Sequence, residues 1–439
     1  MERLDEQARA PDDQTRAEDD EEDRLAASAA EVAVPGTVAA GSLADYLHVW
    51  LVRLRAGESG VLPVIVGMFL IAVIFQTLNS KFLTAGNLVN LLVQGAVFMM
   101  LAMAEVFALL LGEIDLSAGF VAGVSGVTAA ELLTTAHGGW PWWVAILVAL
   151  VVCAGIGLLH GTLITRLGLP SFVVTLGGLL GWQGVMLWIL GNGGTLPIQD
   201  KTVNDIANAN LTPAASWIVM VVLVAVYGLA TGRKAARRRA RGLVAPPFSF
   251  TIVKVVGVAL AGVVLVLICN ADRGVLVPIR GMPWVLLLVL GVVTAWSVLL
   301  GRTRFGRHVY AIGGNAEAAR RSGIKLARVR TWCFVLASFT AGIAGIIYAS
   351  RLRSVSTNLD GGTLVLYAVA AAVIGGTSLF GGRGKAIHAV LGGIVIASID
   401  NGMGLQGFSA ASKNIVTAIV LIAAVTIDAL ARRGSTTTR

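Results

Sequence analysis

Apolar residues run along this chain in long blocks separated by short polar clusters, with no sustained alternation of the kind a half-buried strand shows. A bilayer core about 30 Å thick is crossed by roughly 20 apolar residues as helix. Windows of that length predict twelve apolar segments, near 60–78, 90–111, 117–136, 142–164, 172–190, 214–230, 251–269, 283–300, 331–350, 365–380, 386–404 and 413–430. The predicted fold class is all-α: a polytopic transmembrane helical bundle occupying residues 59–431, some of its segments broken or re-entrant. Residues 1–42 have almost no large apolar side chain to offset ordering entropy, and read as an acidic, disordered tail. They lack a signal-peptide pattern, so the first membrane helix is expected to direct insertion. Residues 43–58, with Leu43, Tyr46, Leu47, Trp50, Leu51, Arg53 and Arg55, read as an amphipathic interfacial helix.

Composition agrees with the pattern. Of 439 residues 56% are hydrophobic and 13% charged, with a mean hydropathy of +0.80, where soluble domains carry about 25% charge. Residues 1–31 hold 12 of the 25 acidic and 4 of the 34 basic residues, a net charge of −8, leaving +17 for the rest. The pI near 9.9 does not indicate nucleic acid, because the cations fall in short loops between apolar segments. With twelve spans and a cytoplasmic N-terminus, three basic loops share one side. The first holds Arg233, Lys234, Arg237, Arg238, Arg239 and Arg241. The second, 301–330, holds Arg302, Arg304, Arg307, Arg320, Arg321, Lys325, Arg328 and Arg330. The tail 432–439 adds Arg432, Arg433 and Arg439. The excess of positive charge places both termini in the cytoplasm. Cys153, Cys269 and Cys333 lie in or at the end of apolar runs without zinc or disulfide spacing, and read as small buried hydrophobes. The glycine pairs Gly119 and Gly123, Gly177 and Gly181, and Gly342 and Gly345 read as helix-packing positions.

Catalytic patterns are missing. Gly384-Lys385 is followed by Ala386 and preceded at the required distance by Leu379, so there is no P-loop. The five histidines have no paired metal-ligand spacing, and no G-x-S-x-G elbow occurs. Polar groups within apolar segments are costly and face a bundle interior or cavity. Glu105, Gln183, Asp400 and Asn401 are such groups, read either as the lining of a path for a hydrophilic solute or as bonds between helices. Gly112-Glu113-Ile114-Asp115-Leu116-Ser117-Ala118-Gly119 interrupts an apolar stretch. It is a broken helix or tight turn that Asp115 or Ser117 can cap, either a plain connection or part of a path or gate. In the loop 301–330, Gly313-Gly314 reads as a breaker and Asn315 as an N-cap. Glu317, Ala318, Ala319 and Arg320 read as a helix of about two turns, with Gly323 as its C-cap. So short a helix is marginal alone and is expected to be held by a partner.

Three stretches carry a resemblance: Glu113 to Ser117; Tyr310-Ala311-Ile312-Gly313-Gly314-Asn315 continuing to Ile324; and Val373-Ile374-Gly375-Gly376-Thr377-Ser378-Leu379 with Gly381-Gly382. They resemble the membrane permeases of bacterial monosaccharide ABC importers, over about Phe82 to Asp428. Within these, the stretch 191–282 and the run Ala397 to Met403 look most like the xylose permeases. Glu113 stands where many relatives have Gly, and Phe380 and Arg383-Gly384-Lys385 depart from the pattern, as does the acidic tail. The resemblance implies a transport subunit rather than an enzyme, placed in the bacterial inner membrane as a homodimer. It also implies a separate cytoplasmic ATPase that binds ATP and Mg, so that this chain carries no cofactor, and an extracytoplasmic sugar-binding protein. Asn315, Glu317, Ala318, Ala319, Arg320 and Gly323 would form the contact with the ATPase. Glu105, Glu113, Asp115, Ser117, Gln183, Asp400 and Asn401 are the candidates for the path or its gate.

Overall fold

The structure is a computed structural model that describes residues 62–135, 138–191, 194–242 and 247–436. The expected tail over 1–42 and the interfacial helix over 43–58 lie outside the described residues. The helices are α1 (Leu62–Leu78), α2 (Ala85–Leu110), α3 (Ala118–Leu133), α4 (Trp142–Arg166), α5 (Ser171–Leu190), α6 (Lys201–Asn208), α7 (Pro213–Ala240) and α8 (Phe248–Asn270). They continue as α9 (Trp284–Arg302), α10 (Arg304–Gly314), α11 (Ala316–Arg321), α12 (Leu326–Leu352), α13 (Gly361–Ile374), α14 (Ala386–Leu405) and α15 (Ala410–Thr436). Two short strands, β1 (Thr195–Pro197) and β2 (Ser354–Ser356), pair antiparallel with Leu196 opposite Val355.

Internal contacts divide the described residues into two units, 62–224 with 258–436, and Ala225–Gly257. In the second unit the described residues are the cationic end of α7 and the first turns of α8. There Gly228 faces Val255 and Lys254 lies over the Phe250 ring at 4.4 Å. The description below concerns the first unit.

Helix α2 is buried without interruption from Gly95 to Leu110, as expected of a helix apolar on every side. Helices α12 and α14 pack along it and are also largely buried. By contrast α5, α8 and α9 expose apolar side chains such as Leu180, Leu260 and Trp284. In water such surface would be a liability; beside lipid it is the expected exterior.

All twelve predicted apolar segments coincide with a helix, but eight helices among the described residues are long and apolar enough to cross a membrane. Helices α1, α3, α13 and the apolar part of α15, Ala410–Ala423, are shorter. The predicted segment 365–380 ends at Ile374, because Gly376, Gly381 and Gly382 take positive φ and carry the backbone through a turn. With 16 and 14 residues, α3 and α13 span roughly 24 and 21 Å. Their first turns abut: a Cβ on Gly119 would stand 1.9 Å from the Gly361 carbonyl oxygen. From there they lead apart. Gly126 of α3 lies against Val355 and Gly345, whereas α13 runs to Gly375, against His388. Two half-helices therefore meet head to head beside one long buried helix.

Glycine spacing sorts into two groups. A Cβ on Gly345 would lie 2.0 Å from the Ala122 carbonyl oxygen, and one on Gly342 would lie 2.9 Å from Cys153 Sγ. Gly177 and Gly181 have nothing within 4 Å of a Cβ, so packing does not explain that pair. The substitution Gly345→Val should lower the stability of the purified protein by roughly 1–3 kcal/mol, while Gly181→Ala should leave it unchanged. Thermal melts of the two variants in detergent check the contrast, and equal melting points would contradict it.

Candidate functional site

Side chains from α2, α4, α5 and the 112–117 turn form one buried polar group. Asp115 Oδ1 accepts hydrogen bonds from the Ser117 amide at 2.9 Å and its hydroxyl at 2.6 Å. Ser117 is the N-cap residue of α3 but makes no side-chain cap bond, so Asp115 orders the turn by holding Ser117. Trp182 Nε1 donates to His160 Nε2 at 3.0 Å, which leaves the ring proton on Nδ1, 3.4 Å from Ser117 Oγ. Glu105 is fully buried beside Asp115, and Asp115 Oδ2 has no hydrogen-bond partner. Glu113 lies nearer the surface, its Oε1 3.1 Å from Arg330 Nε.

The turn continues into a backbone junction. The Gly382 amide donates to the Leu110 carbonyl oxygen at 2.9 Å. A Cβ on Gly313 would stand 1.8 Å from that oxygen and 2.5 Å from the Gly382 nitrogen. Tyr310 Oη donates to the Gly384 carbonyl at 2.7 Å. The three stretches that carry the resemblance, the first far from the other two along the chain, therefore meet at the end of α2.

The segment 301–330 is more helical than expected. Its first part is α10, and Gly313-Gly314 close that helix instead of breaking the chain. The backbone turns at Asn315, whose Oδ1 accepts from the Ala318 amide at 2.9 Å. Helix α11 spans six residues, close to the expected two turns. It ends in a Schellman arrangement: Gly323 at φ +82°, its amide bonded to the Arg320 carbonyl and that of Ile324 to Ala319. Ala319 is buried against the bundle, whereas Glu317, Arg320 and Arg321 are exposed. Glu317 accepts from Arg320 and Arg321 at 2.9 to 3.0 Å. The Arg320 bonds, then those of Arg321, hold its carboxyl below the ordinary value.

At the opposite end of α2 lie three adjoining cavities. The widest, about 430 Å³, is lined by Asn90, Asn208, Asn210, Arg273 and Arg351. A second, about 230 Å³, is lined by Asn87, Asn90, Gln94, Asp400, Asn401 and Lys413. The third, about 190 Å³, takes Gln94, Phe98, Tyr348, Arg351, Tyr367 and Asp400. Asn87 Nδ2 donates to Asn401 Oδ1 at 2.8 Å. Asp400 accepts from Lys413 Nζ at 2.9 Å and from Gln94 Nε2. Helix α2 reaches this end capped by Thr84.

Of the candidate path residues, Asp400 and Asn401 thus line the cavities, Glu105, Asp115 and Ser117 form the buried group, and Glu113 flanks the junction. Gln183 is half-buried on α5 and joins neither set. Asn87, Asn90 and Gln94 were not singled out from sequence, although their i, i+3, i+7 spacing marks one helix face. Tyr348 and Arg351, three residues apart on α12, also share a helix face.

These features accompany a clear kinship. Residues 87–425 match the family described as the branched-chain amino acid transport system / permease component. The chain belongs to that permease family. It is 35% identical over 359 residues to the xylose transport system permease protein of Escherichia coli (strain K12), covering 82% of this chain and 88% of that protein. It is 34% identical over 353 residues to its Haemophilus influenzae (strain ATCC 51907 / DSM 11121 / KW20 / Rd) counterpart, covering 80% and 90%. With the ribose import permease protein of Bacillus subtilis (strain 168) it shares 30% over 363 residues, covering 82% and 90%. No solved structure matches this chain. The relatives are transport permeases rather than enzymes, and this permease is a multi-pass helical membrane protein.

Glu317 also sets an expected pH dependence. Because its carboxyl is depressed in the folded helix, the stabilisation is complete above the ordinary value of 4.5 and is lost as pH falls through the depressed one. Amide-exchange protection over 316–322, corrected for intrinsic rate, should be flat from neutral pH to about 5 and then fall. In Glu317→Gln it should not depend on pH, and the same fall in that variant would contradict the assignment.

Proposed function

We propose that this permease is the membrane subunit of an ATP-driven importer for a monosaccharide, D-xylose or a related pentose. It works by alternating access and is coupled to a separate cytoplasmic ATPase that binds ATP and Mg. It sits in the bacterial inner membrane with both termini cytoplasmic, pairs with a second copy, and receives solute from an extracytoplasmic sugar-binding protein. Names of the relatives support the sugar. Cavities lined by amides, hydroxyls and single charges suit a neutral polyhydroxylated solute.

The observation that carries the coupling is the junction at Gly313. Helix α11 offers Glu317, Arg320 and surrounding exposed backbone to a partner, with Asn315, Ala318 and Gly323 fixing its ends and Ala319 seating it. Through α10 it is tied, backbone to backbone, to Leu110 and Gly382. Those residues lead into the turns that begin α3 and end α13. Displacing α11 would therefore displace the half-helices and shift the permease between two access states.

One observation favours a second reading, an ion-coupled sugar carrier. Glu105, Asp115 and His160 form the kind of buried acid–histidine group a proton relay uses. Uptake separates the readings. In cells lacking this chain, uptake of one of xylose, ribose, arabinose or galactose should fall, and restored uptake should survive a protonophore when ATP is held constant. Collapse with the proton gradient would favour the carrier. In the Glu317→Ala, Gly323→Val double variant, uptake should fall about tenfold or more, the effect of losing charge-assisted contacts, at unchanged membrane level. Unchanged uptake and ATPase binding would contradict the coupling role.

A further inference from the structure

The 190 Å³ cavity differs from its neighbours in its walls. Phe98, Tyr348 and Tyr367 give it three aromatic rings, with Phe98 and Tyr367 packed edge to face at 5.7 Å between centroids. Gln94, Asp400 and Arg351 supply its polar groups. Two of these, Gln94 and Asp400, also line the 230 Å³ cavity, and Arg351 also lines the 430 Å³ cavity. The chamber thus shares these side chains with both neighbours.

The partition toward Lys413 is held by one carboxylate. Asp400 Oδ1 accepts from Lys413 Nζ at 2.9 Å, and Oδ2 accepts from Gln94 Nε2. One side chain from α14 thereby joins α2 and α15. The pair is neither deeply buried nor free: Lys413 is 23% exposed and Asp400 17%. Such a charge-assisted contact is strong enough to hold a conformation and accessible enough to be exchanged for other partners.

We propose that the Gln94–Asp400–Lys413 bridge is a latch on this chamber, and that the chamber holds one neutral, polyhydroxylated ring. The ligand half of the proposal rests on the sugar-import reading; the latch half does not. A sugar ring lays its C–H face on the aromatic rings, as apolar surface on an aromatic face. Its hydroxyls donate to Asp400 and accept from Gln94 and Arg351. Hydroxyl donors at Asp400 replace those of Lys413 and Gln94, so the solute opens the latch by taking over its acceptor. A cation would meet Arg351 and Lys413, and an anion would meet Asp400. A neutral solute meets no uncompensated charge.

The test uses the full chain in nanodiscs, with Cys153, Cys269 and Cys333 changed to Ala and a single reporter, Leu364→Cys, on the chamber wall. A small neutral thiosulfonate is the probe, and a second reporter, Ser409→Cys, monitors the exposed loop before α15. Lys413→Met and, separately, Asp400→Asn should each raise the modification rate at 364 by about tenfold, as expected for losing a hydrogen bond to a charged group, and leave the rate at 409 unchanged. Equal rates at 364 in the parent and both variants would overturn the latch. Excess D-xylose should slow modification at 364 in Lys413→Met, where the latch is already open and Asp400 remains to bind the sugar, whereas glycine betaine should not. Faster modification in the variants without protection by xylose, ribose or galactose would overturn the ligand assignment alone. Latch behaviour together with intact chamber protection but no sugar uptake in cells would fault the import reading and not the chamber.

Discussion

At Gly313 the backbone of α10 comes so close to the Leu110 carbonyl and the Gly382 amide that a single added methyl group would overlap both. Three chain segments share this point: the end of the central helix, the last turn before α11, and the loop after α13. Contacts between backbones are stiffer than contacts between side chains, because no rotamer can change to absorb a displacement. The Gly382–Leu110 hydrogen bond closes the same point. Movement of the surface helix is therefore passed to the bundle rather than taken up locally.

What receives that movement is a pair of half-helices. Each stops partway along α2, and their first turns touch at Gly119 and Gly361. Interrupted helices are tolerated at membrane depth only where their ends are buried in protein or line a cavity. Here Asp115 orders the turn before α3, while Asp360 accepts from the Thr363 amide at the start of α13. A full-length helix would resist sliding along its whole packed length. Two short ones that meet end to end can separate or tilt at one contact. The polar cavities lie at one end of α2 and the glycine junction at the other, so under the proposed function the half-helices stand between the solute cavities and the helix offered to a partner.

The helical bundle was legible in the sequence because uninterrupted apolar runs have one reading at membrane length. The short helix after Asn315 was legible too, since its cap residues are local signals. Less was visible where function depends on distant residues meeting. Glu105 and Asp115 were singled out separately, but His160 and Trp182 come to them from α4 and α5, and no spacing announces that. Asp400 and Asn401 were seen as isolated polar groups. Of their partners, Asn87 and Lys413 lie near helix ends, where polar residues usually face headgroups, and Gln94 was legible only through its spacing from Asn87 and Asn90 on one helix face. Gln183, chosen by the same polar-in-apolar criterion, joins neither set; an amide within a span can be half-exposed on an outer helix. The length of α13 was misjudged because Leu379 and Phe380 draw a hydropathy window across Gly375 to Ser378, while the positive φ of Gly376 ends the helix.

The central claim is that α11 and the loop after α13 move as one body. The most direct measurement is a pair of spin-label distances in the permease assembled with the ATPase of the proposed importer, with and without ATP. One pair joins Ser322→Cys to Arg383→Cys, both exposed and on either side of the junction. The other joins Ser322→Cys to Trp143→Cys at the start of α4. The account predicts that ATP leaves the first distance unchanged and shifts the second. A change in the first distance with the second constant would mean that α11 moves independently of the bundle, and would contradict the account.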